Sequence, residues 1–393
     1  MKLSKKKYVF DNNTSNSISI SPNKKIMIVN NIKLFEDFYK VSWNVYKNNK
    51  YWVPPFLNEM KSFFNKKELF WTHALCKLFI AYKNNIPVGR ITAFVDYEYI
   101  KTNNKKVGFF GFFECVNDSE IALSLLNEAE KWLKGKKLNY LIGPVNGRVD
   151  IGVGFLIKGY NSTPYLMANY SLDYYNNFVE EFGMKKLKDL VSYNIKLNKR
   201  ISEQKIIDTA NKYEKMGIKI RKYNRFLHKK EMEWWIDLLM NEFKDHWGYT
   251  SISYEEVKSR FGIKQLIWIV DPPLFLVAEK DNKPIGFRWS LPDYNLLFKE
   301  FGGKLGALHF LHTITNRKKI KRGRFIIMGI KKEFRGKGIG TCLNYKTILE
   351  MKKRGYLSAE YGWIDENNIA SRKAGEKIGG ELNKIYRVYE KNI

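Results

Sequence analysis

Phe325-Ile326-Ile327-Met328-Gly329-Ile330, then Lys331-Lys332-Glu333-Phe334, then Arg335-Gly336-Lys337-Gly338-Ile339-Gly340 is the stretch whose reading decides the rest of the chain. Its first six residues are an apolar run of the length of a buried strand. The glycines that follow let the backbone turn without a Cβ clash, and Ile339, Leu343 and Ile348 then recur near helical spacing. A strand, a glycine-rich turn and a helix start together suit phosphate, because the first amides of a helix have no internal acceptors and the helix dipole favours an anion there. No Gly-Lys-Ser/Thr closes the turn, so it is not a P-loop, and the third glycine of the dinucleotide fingerprint is missing.

The spacing Arg335-x-x-Gly338-x-Gly340 resembles the (Arg/Gln)-x-x-Gly-x-(Gly/Ala) signature of the GNAT superfamily of N-acyltransferases. Downstream, Asn368-Ile369-Ala370-Ser371 followed by Glu376-Lys377-Ile378-Gly379 resembles that family's asparagine, helix and Glu-Lys-Leu-Gly element. The resemblance implies acetyl-coenzyme A, or another acyl-coenzyme A, as co-substrate, and no metal. It places the backbone of Arg335, Gly336, Lys337, Gly338, Ile339, Gly340 and Thr341 around the pyrophosphate. It sets an N–H of the Met328, Gly329, Ile330 region against the acyl carbonyl, and Asn368 near the pantetheine arm. Asparagine is also a good helix N-cap, so Asn368 has a structural role open to it as well.

Working outward, the order of elements repeats. In the second half a strand is expected at 218–220, a helix at 230–243, a hairpin at 274–289 turning at Asp281-Asn282, the strand 325–330, a helix at 340–353, a strand at 356–363, a helix at 368–378 and a strand at 385–389. In the first half, strands are expected at 7–10 and 26–29, a helix at 33–47, a hairpin at 78–95 turning at Asn84-Asn85, a strand at 107–115, a helix at 118–134, a strand at 140–144 and a helix at 174–182. The hairpins and the strand–helix pairs recur about 200 residues apart, which points to two domains rather than a solenoid. The expected fold is α/β (α+β), two tandem GNAT-like domains over 1–199 and 200–393, each a mixed, mostly antiparallel sheet flanked by helices. The first half lacks the signature: Val116-Asn117-Asp118-Ser119-Glu120 stands there, and its carboxylates would repel a pyrophosphate. The N-terminal domain is therefore expected not to bind the coenzyme and to contribute to the acceptor site.

Composition limits the alternatives. With 393 residues, 44% hydrophobic and 15% aromatic, the chain has ample material for two cores. No stretch has the apolar length needed to span a bilayer, and Met1–Phe10 lacks the apolar part of a signal peptide, so a cytoplasmic setting without membrane insertion is expected. Three cysteines, Cys76, Cys115 and Cys342, have no metal spacing and read as reduced core residues. The net charge of +29 is spread along the chain and reads mainly as a solvated basic surface, with a nucleic-acid partner as the other possibility. The basic run Arg317-Lys318-Lys319-Ile320-Lys321-Arg322-Gly323-Arg324 reads as a solvated loop or an anion attractor.

Acid–base chemistry has fewer signals. The family's usual general acid, a tyrosine just before the Glu-Lys of the last helix, is implied at the position held by Gly375. Glu360 is the candidate base, with a salt bridge as its structural alternative, and Tyr386 is a candidate acid with packing as its alternative. Asn146, Arg148 and Asp150 follow Gly143-Pro144 at a strand end, where α/β sheets hold ligands, and are candidate acceptor-binding residues. The expected activity is acyl transfer, most simply acetyl, to a small-molecule or peptide amine. A coenzyme-binding module without turnover and a transferase acting with tRNA are the alternatives from other classes.

Overall fold

Asn84-Asn85 (φ 51° and 61°) and Asp281-Asn282 (φ 51° and 58°) both take the left-handed conformation of two-residue hairpin turns, which follows the twist of the strands they join. Each turn joins the two strands of a long hairpin. A computed structural model describes residues 7–10, 17–149, 151–198, 208, 211, 213, 215–251, 253–261 and 270–393. By its own contacts the chain divides into two units, one of residues up to Leu190 with Asn295–Phe310 and Lys384–Ile393, the other of Val191–Tyr294 and Leu311–Asn383. The domain boundary expected between residues 199 and 200 lies outside the described residues.

The first unit contains β1 (Ser17–Ser21), β2 (Lys24–Ile28), α1 (Ile32–Val45), α2 (Leu57–Phe63), β3 (Ala74–Lys83), β4 (Ile86–Asp96), α3 (Tyr97–Asn103), β5 (Val107–Cys115), α4 (Ser119–Lys134), β6 (Tyr140–Gly143), β7 (Phe155–Lys158) and α5 (Tyr174–Glu181). Strands β1 to β5 pair antiparallel in sequence order, and β6 joins β5 in parallel after the crossover through α4. Alternation along β3 explains why both faces are covered. Leu78, Ile80 and Tyr82 pack in one cluster with Phe35, Phe38 and Val41 of α1, whereas Phe79 and Ala81 pack in another with Ile121, Leu125, Ala129 and Leu133 of α4. Each Leu, Ile, Val or Phe among them contributes about 1.5–3 kcal/mol on burial.

The second unit repeats the plan. β8 (Lys185–Lys196) runs into it, followed by β9 (Ile218–Lys222), α6 (His228–Glu242), α7 (Tyr254–Phe261), β10 (Phe275–Lys280) and β11 (Lys283–Pro292). α8 (Asn295–Glu300) belongs to the first unit, as does α9 (Ala307–Thr315) up to Phe310; after them come β12 (Arg322–Ile330), α10 (Ile339–Lys353), β13 (Ser358–Asp365), α11 (Ile369–Lys377) and β14 (Gly380–Asn392), which counts with the first unit from Lys384 on. β9 to β12 pair antiparallel, in the order β9-β10-β11-β12, and β13 joins β12 in parallel. Trp235 of α6 packs its ring on Phe275, Phe287 and Trp289, while α10 covers Leu276, Ala278 and Ile285 on the other face.

One expected element does not form. Tyr8 makes only an isolated bridge to Asn65 instead of a strand at 7–10, because Phe10 is held by ring stacking on Phe35 rather than by a ladder.

Candidate active site

The glycine turn follows directly from β12. Lys331 N–H bonds the Ile285 carbonyl at 3.0 Å, a single 3-10 turn occupies Lys332–Phe334, and Gly336 and Gly338 then take φ of +74° and +86°. Gly338 is the N-cap of α10 and has no side chain to satisfy the helix amides. The first bond of that helix runs from Cys342 N–H to the Gly338 carbonyl at 3.2 Å, so the amides of Ile339, Gly340 and Thr341 come before the ladder and have no intrahelical acceptor. Residues 335–337 are exposed. Tyr213 closes on the turn, its hydroxyl donating to the Lys337 carbonyl at 2.8 Å. The loop is therefore an open concavity of backbone donors at a helix start, the geometry that fits a pyrophosphate. Lys337 lies over the Phe334 ring at 5.3 Å.

Arg335 does something the sequence does not reveal. Its Nε donates to the Ile330 carbonyl at 2.9 Å, and its Nη2 reaches both the carbonyl and the carboxylate of Glu242, at 3.1 and 2.8 Å. It ties the turn to the end of α6. Asn368 caps α11, accepting from Ser371 N–H at 3.0 Å.

Beside the turn, the sheet opens. Parallel pairing of β12 with β13 runs from Arg322–Ser358 to Phe325–Tyr361 and ends there. A register shift against β11 falls at the same place, between Trp289 and Ser290, and Ile326, Ile327 and Met328 are only half-buried. Gly329 and Ile330 lie between this opening and the turn. The guanidinium of Arg288, on β11, sits at the point of parting, 4.5 Å from the centre of the Phe325 ring and 4.6 Å from that of Tyr361. Arg288 is 4% exposed, and its Nε has no hydrogen-bond partner. Among the described residues no carboxylate pairs with it. Burial lowers its pKa to about 10, against a smaller opposing effect of Tyr361, to which it is hydrogen-bonded. Other buried polar atoms without partners lie on the same strand and on the helix that covers it: Ser290 Oγ and both amide atoms of Asn344. Native interiors rarely leave such groups unmatched, but Ser42 Oγ, Arg90 Nε and Thr92 Oγ1 are in the same state in the first unit, so these atoms alone do not single out a binding place.

Glu360 is fully buried in β13, accepts from Ser192 Oγ at 3.1 Å and faces Arg324 Nε at 3.6 Å. That is the structural salt bridge rather than a carboxylate open to an amine. A Cβ on Gly375 would come within 2.9 Å of the Tyr361 ring and 3.4 Å of Tyr193, so two rings already fill the space where another side chain would project. Tyr386 is 3% exposed and packs against Gly154 in the first unit.

The first unit shows what the same plan looks like when closed. Pairing of β5 with β6 also ends early, at Phe109–Ile142. Here Val145 N–H bonds the Phe110 carbonyl at 2.8 Å, and Asn146 Oδ1 accepts from Phe112 N–H at 2.7 Å, sealing the gap. Asn146 is thus consumed in holding the backbone. Arg148 stacks its guanidinium over Phe70 at 5.8 Å, and Asp150 lies outside the described residues. Its buried arginine, Arg90, also has an unbonded Nε but differs from Arg288 in having a carboxylate: it faces Glu114 at 3.7 Å, and it donates to the Phe38 carbonyl at 3.0 Å.

At the start of α4, Asp118 accepts from Ile121 N–H and pairs with Lys24 at 2.8 Å and Lys83 at 3.1 Å. Burial raises its pKa, but the bonds from Lys24, Lys83 and the Ile121 amide outweigh this and hold it below the usual carboxylate range. Asp118→Ala is expected to lower stability by about 1–2 kcal/mol at neutral pH, the worth of an N-cap. Because the folded-state pKa is depressed, this contribution is present above the ordinary carboxylate pKa and disappears as pH falls through the lower folded value. Denaturant titrations of both proteins at neutral pH and below about pH 4 should show the gap narrowing in acid, with coenzyme A binding unchanged at neutral pH.

Comparison with known proteins agrees with this geometry. Residues 235–379 match the acetyltransferase (GNAT) family. The chain is 28% identical to the bacterial ceramide synthase of Caulobacter vibrioides, over 87% of this chain and 90% of that one. It is 26% identical to protein YghO of Escherichia coli, over 93% of each. Among solved structures, a tandem GNAT protein from the clavulanic acid biosynthesis pathway aligns with a TM-score of 0.56 over 94% of this chain and 98% of that one, at 10% identity, which shows a shared fold. The mixed α/β class with mostly antiparallel sheets flanked by helices is as the sequence led us to expect.

Proposed function

We propose, since the chain belongs through residues 235–379 to the acetyltransferase (GNAT) family, that it transfers an acyl group from an acyl-coenzyme A thioester to an amine and so forms an amide. The observation that carries this reading is the exposed glycine turn after Ile330, with its helix amides ahead of the first ladder bond, set beside the parting of β12 and β13. In this reading the amides from Gly336 to Thr341 hold the pyrophosphate, and the backbone of Met328–Ile330 binds the thioester carbonyl. Asn368 lies by the pantetheine arm and caps α11 at the same time. The neutral amine attacks the carbonyl carbon, the C–S bond breaks, and the proton that the nitrogen sheds passes through solvent to the departing thiolate, which leaves as coenzyme A thiol. Arg288 supplies positive charge where negative charge builds on oxygen and then on sulfur; with a pKa of about 10 it stays protonated at neutral pH. Glu360 keeps its place in the buried pair with Arg324 and takes no proton in this scheme.

The relative named for ceramide synthesis guides the choice of acceptor, because a ceramide is the amide of a long-chain amine. Long-chain amino alcohols are accordingly the first acceptors to offer, with amino acids and peptides beside them, against acyl-coenzyme A donors from acetyl to palmitoyl. Release of free thiol is the readout. The expected result is release that depends on the amine and prefers one acyl length. Coenzyme A binding without release for any amine would reduce the chain to a binding module, and no binding would reject the reading.

A further inference from the structure

Large apolar side chains on a protein surface need no comment singly, but they do when they cluster between cations. α9 has no buried residue, and in its second-unit part Leu311 is 57% exposed and Ile314 54%, three apart along one side of the helix. The next turn is Arg317-Lys318-Lys319. In the second unit the short turn before α6 repeats the combination, with Phe226 99% exposed and Leu227 49% exposed between Arg225 and Lys229-Lys230. Two arginines anchor these segments to one place. Arg225 donates to the Val270 carbonyl, and Arg317 pairs at 2.7 Å with Asp271, the very next residue. Both guanidiniums also act on the Tyr294 hydroxyl, opposing the rise that burial causes there. The anchors use up the arginines and leave the lysines: among the described residues no carboxylate pairs with Lys229, Lys230, Lys318 or Lys319.

From this arrangement we infer that the Phe226–Leu227 turn and Leu311 and Ile314 of α9 form a docking face for an anionic phospholipid bilayer. The apolar side chains enter the headgroup–acyl boundary and the lysines meet the lipid phosphates. Charge selects this occupant. A second copy of the chain would bring the same lysines against these in a protein of net charge +29. A nucleic acid would use the lysines but would leave Leu311 and Ile314 with nothing apolar to cover them. The face lies along the surface and needs no spanning segment; among the described residues no helix is long and apolar enough to cross a membrane. Such a surface holds a protein where long-chain amphiphiles are dissolved, and the docking itself does not depend on the transferase reading.

Co-sedimentation of the full chain with vesicles tests it. Vesicles of phosphatidylcholine with about 30% phosphatidylglycerol are expected to carry the protein down at moderate salt, and pure phosphatidylcholine is not. F226A/L311S/I314S changes exposed positions only, so its melting temperature should stay that of the parent, while its vesicle affinity falls by about tenfold or more. K318E/K319E should show a similar loss. Failure to sediment with the anionic vesicles overturns the inference. So does equal sedimentation of parent and apolar variant, which would reduce the effect to general positive charge. A dimer that the apolar variant breaks, with no vesicle binding by either protein, would assign the face to a second copy and also overturn it.

Discussion

Gly338→Ala is expected to weaken coenzyme A binding by roughly 30- to 100-fold. Two separate effects add at this position. At φ of +86° an alanine pays the left-handed penalty of about 1–2 kcal/mol. Its Cβ would also stand 2.1 Å from the Tyr213 hydroxyl, so that side chain must swing away and give up its bond to the Lys337 carbonyl, worth about 1 kcal/mol. The turn can escape both by reshaping, but then the amides of Ile339, Gly340 and Thr341 lose their common direction. Gly336→Ala separates the two effects: its φ is +74° and nothing lies within 4 Å, so only the backbone penalty applies and about a tenfold loss is expected. Isothermal titration of coenzyme A into the parent and both variants, each checked for folding by its thermal transition, decides the matter. Full affinity in Gly338→Ala would mean that the pyrophosphate is held elsewhere and would remove the basis of the transferase reading.

Local signals carried a large part of this architecture. The two Asn/Asp turns, the 3.6-residue periodicity of α1 and α4 and the apolar run before the glycines all announce elements whose causes are short-range. What the sequence concealed depends on distance or on context. β8 begins with exposed Lys185-Lys186 and ends in a buried stretch, so neither strand period holds along it. α9 is apolar yet none of its residues is buried, and a reading that equates apolar with interior has no place to put it. Tyr213 closes the glycine turn from 124 residues away, which no local pattern can report. Arg335 reads as part of the phosphate grip until Glu242 is seen to hold it. The site residue most thoroughly hidden is Arg288, which looks like the polar member of an alternating strand. Its neighbours Phe287 and Trp289 on one side of the sheet, and Phe325 and Tyr361 on its own, turn that position into an interior one.

That burial makes Arg288 the site of the second large effect: Arg288→Met is expected to lower kcat by about 100- to 1000-fold while leaving coenzyme A affinity nearly intact. The two halves of this expectation have one cause. A guanidinium held between two rings with its Nε unbonded and, among the described residues, no carboxylate facing it is costly to bury, as the fall of its pKa to about 10 records. The sign follows from linkage. The folded state binds this proton less tightly than the unfolded chain does, so the cost is fully present below about pH 10 and is relieved only as pH rises towards the ordinary arginine value. Methionine removes the charge and keeps most of the volume, so stability should hold or rise, as replacing buried ions with apolar groups often does by about 1–4 kcal/mol. The same substitution takes away the positive field where β12 and β13 part, and the charge forming in the transition state loses its counterpart. Arg288→Lys restores the charge without the flat, ring-stacked group and should recover only part of the rate. Single-turnover rates and denaturant titrations on the three proteins distinguish this from a packing role. A packing residue would lose stability and rate together in the methionine variant, whereas an electrostatic one loses rate alone; an unchanged kcat would exclude Arg288 from the chemistry.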